Sequence, residues 1–319
     1  MPRRRKRRKK SKLVQLLEFL PVYLAFQLVK LTPLTLGHRA SRLLGSLFYY
    51  LAPRRRRIAL ENLRHAFTQT KSDAEIDTIA RTSCYSLIAS LFETAKLHVM
   101  LRDPCGRMRL DALREELDAL FCKAKVVHEQ SGGCIFVTPH IGNWEFLIFG
   151  SVSAGIPVVV VARPLDNQYL ENWLYGYRHA SGQDVVARMN SMYLLQTALR
   201  RGKSIAMVPD QSTMKAISVE YLGRPATTTP IPALLAVRNN RPIVVVACCR
   251  KSENFDYEGF VSDPIWPEPQ QEEKAELFRL TKAINREMES IVRRYPEQYL
   301  WMHDRWKKYR SRGELFTAE

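Results

Sequence analysis

The chain has 319 residues, 46% of them hydrophobic and 25% charged, and carries a formal charge of +17. That composition excludes a disordered or collagen-like chain and leaves room for one large α/β domain or two small ones. Eight of the positive charges lie in residues 3–10 and four more in residues 54–57, so tail and body are both basic, which suits an anionic membrane surface, an acidic protein or nucleic acid.

In chain order, a polybasic tail (residues 1–12) precedes an apolar membrane-associating helical segment (13–52), and residues 53–319 read as a single α/β domain. Within the second segment, residues 13–29 are seventeen mainly apolar positions interrupted by Glu18 and Pro21. As a helix they would measure about 25 Å, short of a hydrocarbon core of about 30 Å. A second apolar patch, 43–52, ends at the second basic run. Basic clusters on both sides favour both ends on the cytoplasmic side of a membrane, with the segment dipping into one leaflet or lying in the interface, and a single span is the alternative the sequence leaves open.

Residues 55–101 read as helical, with Ile58, Leu60, Leu63 and Phe67 on one face and a capping box at Ser72 and Glu75. After a break at Asp103-Pro104 and Cys105-Gly106, helical spacing returns over 110–127. From residue 134 strands and helices alternate. Strands are expected at 134–137, 156–162, 184–187, 204–208, 242–249 and 255–261. Helices are expected after Glu145 and over 167–180, 192–200, 228–239 and 272–294. This order predicts an α/β fold with a mostly parallel sheet covered by helices on both faces, behind the N-terminal helical membrane-associating region. The six cysteines show neither C-x-x-C nor metal spacing and read as free core thiols. No H-E-x-x-H is present, and neither a metal nor a cofactor is expected.

The candidate chemistry lies at strand ends. Thr138-Pro139-His140-Ile141-Gly142-Asn143-Trp144-Glu145 follows an apolar strand and opens a helix. His140 falls at the carboxyl end of the sheet, where open α/β folds place ligands. Glu145, five residues on, lies within reach of the imidazole. A His with a carboxylate is the usual general base for deprotonating a hydroxyl. A core His beside a dipole-favoured Glu has the same sequence, so the pair gains weight only from other polar strand ends: Arg163, Asp210 and Gln211, with Arg178 on the following helix. G-x-S-x-G, G-x-x-x-x-G-K-[ST] and G-x-G-x-x-G are all absent, and no Ser or Cys is marked as a nucleophile. Direct transfer by an activated hydroxyl is therefore favoured over a covalent intermediate.

His140-Ile-Gly-Asn-Trp-Glu145 also resembles the H-x4-D/E signature of glycerolipid-type acyltransferases, in the form of the bacterial lipid A late acyltransferases of the lauroyl and myristoyl transferase type. Further parts are similar: Ala162-Arg163-Pro164 with Asn167, the Arg178-to-Gly182 spacing, Pro209-Asp210-Gln211, Leu222-Gly223-Arg224-Pro225-Ala226-Thr227, and the closing stretch from Tyr295 through His303 and Arg305 to Lys307. The long polybasic tail and the weak N-terminal apolar segment depart from the family pattern. The resemblance implies transfer of a fatty acyl chain from acyl carrier protein or acyl-CoA to a hydroxyl of a membrane glycolipid, lipid A precursor first, at the cytoplasmic face of the inner membrane. His140 would be the base and Glu145 its orienting acid. Arg163 and Arg178 would stabilise the oxyanion or hold substrate phosphate, Gln211 would bind substrate, and Asp210 would either position the acceptor or support His140. Another glycolipid, such as a phosphatidylinositol mannoside, would be served by the same residues, and a glycerolipid acceptor is the third alternative, disfavoured by the closing stretch. A membrane-tethered nucleic-acid binder would explain the basic tail but not the polar strand ends, and no nucleic-acid partner is expected.

Overall fold

A computed structural model describes residues 11–67, 70–100, 115, 117–162, 165–180, 184–187, 192–213, 216–253 and 256–307. Four helices come first: α1 (Lys12–Leu31), α2 (Leu34–Leu51), α3 (Pro53–Phe67) and α4 (Asp73–Met100). Among the described residues only α1 is both long and apolar enough to cross a membrane. The 43–52 patch proves to be the second half of α2. The capping box forms as the sequence predicts: the Ser72 N–H donates to Glu75 Oε2 at 2.8 Å and the Glu75 N–H to Ser72 Oγ at 3.4 Å. It secures the start of α4 by satisfying two backbone donors at once.

The body alternates: α5 (Asp118–Ser131), β1 (Ile135–Val137), α6 (Trp144–Ser153), β2 (Val158–Ala162), α7 (Gln168–Ala180), β3 (Asp184–Ala187), α8 (Met192–Arg200) and β4 (Ser204–Met207). A hairpin, β5 (Ile217–Tyr221) and β6 (Arg224–Thr228), interrupts the alternation before α9 (Ile231–Asn239), β7 (Ile243–Arg250), β8 (Tyr257–Val261) and α10 (Glu273–Arg294). The six-stranded sheet runs β3-β2-β4-β1-β7-β8, parallel throughout except for the antiparallel edge strand β8.

The period of two along each strand sends alternate side chains to two separate cores. Ile135, Val137, Ile205, Ile243 and Val245 join Leu199 of α8, Leu235 of α9 and Ile284 of α10 on one face. Phe136, Val158, Val160, Val244 and Val246 meet Phe121 of α5 and Phe146 of α6 on the other. The parallel sheet buried on both faces is thus the predicted one, and its near-continuous apolar strands follow from that burial.

The hairpin is the element the sequence reading lacks. Its two-residue turn uses Leu222 (φ 53°) and Gly223 (φ 75°), and a leucine in the left-handed region gives no turn signal. Leu222 is held there from outside: its N–H donates to Glu289 of α10 at 2.6 Å. Consequently α9 begins at Ile231 rather than at 228. Cys84, Cys134, Cys248 and Cys249 are buried free thiols as expected, whereas Cys122 is exposed and Cys105 lies outside the described residues.

Candidate active site

The centre of the sheet builds the site. β1 and β4 are parallel neighbours with Val137 opposite Met207, an offset of 70 residues. Both strands end at that rung; the chain runs three residues further on each side, and the same offset of 70 brings His140 onto Asp210. The His140 N–H donates to Asp210 Oδ2 at 2.8 Å, and Nδ1 meets Oδ1 at 2.5 Å. One carboxylate therefore takes both the backbone and the ring of His140. An ionised carboxylate only accepts, so Nδ1 carries the proton and the Nε2 lone pair points away. Nε2 lies 3.2 Å from the Gln211 carboxamide nitrogen, which is placed to donate to it. The ring packs edge-on against Trp144 at 5.3 Å between centroids and is 17% exposed, against 2% for Asp210.

Burial alone would raise the Asp210 pKa. The His140 ring, its two hydrogen bonds and the charge of Arg305 outweigh burial and hold the carboxyl below its ordinary value. Arg305 is itself buried. It donates to the Thr227 carbonyl at 2.5 Å and to Thr228 Oγ1 at 2.7 Å and lies over the Tyr221 ring at 5.2 Å. The hairpin thus holds the cation that compensates Asp210.

The closing stretch frames the same turn. Leu300 N–H donates to the His140 carbonyl at 3.0 Å, Ile141 bridges to Tyr299, and His303 Nε2 accepts from the Ser212 N–H at 3.1 Å. Burial lowers the His303 pKa, so it stays a neutral acceptor.

On its far side the turn is tied to a buried ion pair. Gly142 has φ 54°, and a Cβ there would stand 2.0 Å from the Cys248 carbonyl of β7. The close approach that Gly142 permits is therefore to β7. Asn143 Nδ2 reaches Glu93 Oε2 and the Tyr257 hydroxyl, both at 3.1 Å, while Ser90 Oγ donates to the Gly142 carbonyl at 2.7 Å. Arg250 meets Glu93 through Nε at 2.5 Å and Nη2 at 2.8 Å. Burial opposes the Arg250 charge, but Glu93 outweighs it and raises the Arg250 pKa.

Glu145 stands in the first turn of α6, half-buried, on the wall of an apolar cavity of about 580 Å³. The acid on Nδ1 is Asp210, in one of the two roles the sequence leaves open for it, whereas the sequence reading expects the orienting acid at Glu145. Strand register brings Asp210 level with the ring, while the helix start carries Glu145 to the cavity. The cavity lies among α1, α2, α4, α6 and α7, and Ser90, Asn143, Trp144 and Glu145 mark its end at the His140 turn. A second apolar space of about 60 Å³ lies behind Trp144, between the sheet and helices α5 and α6. Arg163 lies outside the described residues, and Arg178 lies on α7 with its side chain outside them. Among the described residues no group of three or more His, Cys, Asp or Glu side chains could hold a metal.

Sequence reasoning missed Glu93, Arg250 and the roles of Arg305 and His303. A signal existed for the first two: each is a lone charge inside an otherwise apolar helix or strand stretch, Leu91-Phe92-Glu93 and the end of β7.

A sequence model of the family described as bacterial lipid A biosynthesis acyltransferase matches residues 4–308. A lipid A biosynthesis palmitoleoyltransferase of Escherichia coli (strain K12) is 25% identical over 269 residues, which are 83% of this chain and 82% of that one. A lipid A biosynthesis acyltransferase of Shigella flexneri aligns with the same identity and coverage. A lipid A biosynthesis acyltransferase of Haemophilus influenzae is 27% identical over 185 residues, 56% of this chain and 57% of that one.

Proposed function

The chain belongs to the bacterial lipid A biosynthesis acyltransferase family, and from that premise we propose that it is an O-acyltransferase moving a fatty acyl chain from an acyl carrier protein or acyl-CoA thioester to a hydroxyl of lipid A precursor. The observation that carries the mechanism is the orientation of His140, with Nδ1 locked by Asp210 and Nε2 turned away beside Gln211. In the reaction Nε2 removes the acceptor hydroxyl proton, and the alkoxide oxygen forms a bond to the thioester carbonyl carbon. The carbon–sulfur bond then breaks, and the leaving thiolate recovers the proton from the imidazolium. Asp210 keeps the tautomer and stabilises the imidazolium, as an orienting acid does.

Gln211 occupies the place beside Nε2 that the acceptor hydroxyl takes, so its carboxamide must yield to substrate and then borders the reacting carbonyl. Glu145 stands at the head of the 580 Å³ cavity and orients the group delivered there. Apolar walls with a polar end fit an acyl chain bearing its reacting oxygen or carbonyl toward His140. Arg163 and Arg178 carry the expectation of phosphate binding on family resemblance alone. The net charge of +17 supports an acidic carrier protein as donor, and salt should slow the reaction with that donor more than with acyl-CoA.

The test is a membrane-fraction assay with radiolabelled tetra-acylated lipid A precursor and acyl carrier protein loaded with a fatty chain. A more apolar product from the wild type, absent with His140→Ala, supports both reaction and base. Product formed only from a total polar lipid extract would keep the chemistry and move the acceptor to another glycolipid.

A further inference from the structure

Helix α1 has two unlike faces. The inner face is bound to the start of α7: Asn167 Nδ2 donates to the Gln15 carbonyl at 2.7 Å and to Glu18 Oε2 at 3.2 Å, and the Gln168 N–H donates to Gln15 Oε1 at 2.8 Å. Further along the same face, the Tyr23 and Phe26 rings meet Trp173 edge-on at 6.2 and 4.7 Å. The outer face is a stripe of exposed leucines, Leu13, Leu17, Leu20, Leu24, Leu28 and Leu31, at the three- and four-residue spacing of one helix side. Helix α2 also exposes leucines, at Leu43, Leu47 and Leu51.

At 20 residues α1 is about 30 Å long, which is enough to cross a bilayer by length alone. Crossing would carry Gln15, Glu18 and their partners on α7 into hydrocarbon, or strip those contacts away. Both outcomes are costly for polar groups. Lying in the plane satisfies both faces, with the leucines in the acyl chains and the polar face on the protein. The basic residues at both ends, from Lys12 to Arg54 and Arg57, fit anionic headgroups.

The apolar cavity is walled by α1, α2 and α4. Val22, Leu44 and Leu91 line it and are nonetheless 46%, 50% and 59% exposed, so they form its mouth. We infer that α1 and α2 are an in-plane seat in one leaflet of an anionic bilayer, and that a bilayer lipid loads an acyl chain into the cavity sideways, through the Val22–Leu44–Leu91 mouth. Its headgroup end then lies toward Glu145 and the His140 turn. The identity of that lipid as the acceptor glycolipid rests on the function proposed above; the seat and the mouth do not.

Two measurements on the full chain in anionic phospholipid vesicles test this without catalysis. A genetically encoded fluorescent residue at position 17, 24 or 31 is quenched by phospholipids carrying nitroxides at graded depths. The seat requires the same depth at all three positions; a maximum of depth at 24, with 17 and 31 shallower, is a span and overturns it. Photolysis of p-benzoylphenylalanine at position 44 or 91 should give an adduct with a phospholipid acyl chain, its yield lowered several-fold by excess acceptor glycolipid. No adduct at 44 or 91, with a strong one at 24, overturns lateral loading. In turnover, Ala40→Trp, an exposed position on the cavity wall, should raise KM for the glycolipid about tenfold. An unchanged KM counts against the mouth. A wild type that acylates no glycolipid would overturn the functional reading, with the depth and photolysis results still standing for the seat.

Discussion

One short turn serves two buried charge clusters that behave differently. His140 and Asp210 form one at the ends of β1 and β4; Glu93 and Arg250 form the other on α4 and β7, reached through Asn143. The second is closed: Glu93 accepts from Arg250, Asn143 and Tyr257, and Arg250 also reaches Ser86 and Ser90. The first is open on one side: Nε2 of a partly exposed ring meets, among the described residues, the carboxamide of Gln211. A site that turns over needs one atom whose partner can be replaced, and rigid neighbours that cannot be. Four residues along the chain divide these tasks between His140 and Asn143.

That contrast can be broken by substitution. His140→Ala should lower kcat/KM by about 10³–10⁴-fold and lower the unfolding midpoint in urea less than Glu93→Ala does, because Asp210 keeps the backbone N–H at position 140 and the charge of Arg305. A midpoint that fell as far as that of Glu93→Ala would place His140 with the structural cluster. Glu93→Ala should do the reverse, costing about 3–5 kcal/mol in equilibrium unfolding by stranding the Arg250 charge, while folded enzyme keeps most of its kcat. Asp210→Asn keeps the shape but removes the acceptor that fixes the tautomer. Its expected loss is about 10²–10⁴-fold in kcat with KM little changed, read from steady-state kinetics. Gly142→Ala, which drives a Cβ into the Cys248 carbonyl at a positive φ, should cost about 2 kcal/mol or more in the same urea titration. The smallest effect is on pH dependence. Burial lowers the pKa of His38, His65, His128 and His303 from 6.5. The unfolded chain therefore takes up these protons first, and the melting temperature should decline as pH falls from about 6.5 toward the lowered folded values. A flat profile there would show that none of these rings is held neutral by the fold.

Much of this was legible in the sequence because it follows from local rules. Alternating strands and helices, the Ser72–Glu75 cap and the polar residues after strands 134–137 and 204–208 each announce themselves within a few residues. What was hidden depends on distance. Whether Glu145 or Asp210 meets Nδ1 is decided by the register of β1 on β4, which no spacing along the chain encodes. Glu93 and Arg250 lie 157 residues apart and look like interruptions of apolar runs until folding joins them. The Leu222 turn was invisible because its conformation is enforced by Glu289 on another helix rather than by its own residue type.

The rung between Val137 and Met207 has a further consequence, for diversification. The His–Asp pair depends on that rung and on two three-residue overhangs, not on the length or content of what lies between. Provided β2 keeps its pairing with β4, the helices between can change length or lining without moving His140 relative to Asp210. The sheet centre acts as a fixed vice, and the intervening helices are exchangeable jaws. A change of chain preference in this scaffold is therefore expected to be written in the cavity walls, on α1, α2 and α4 as well as on α6 and α7, with the His140–Asp210 pair left in place.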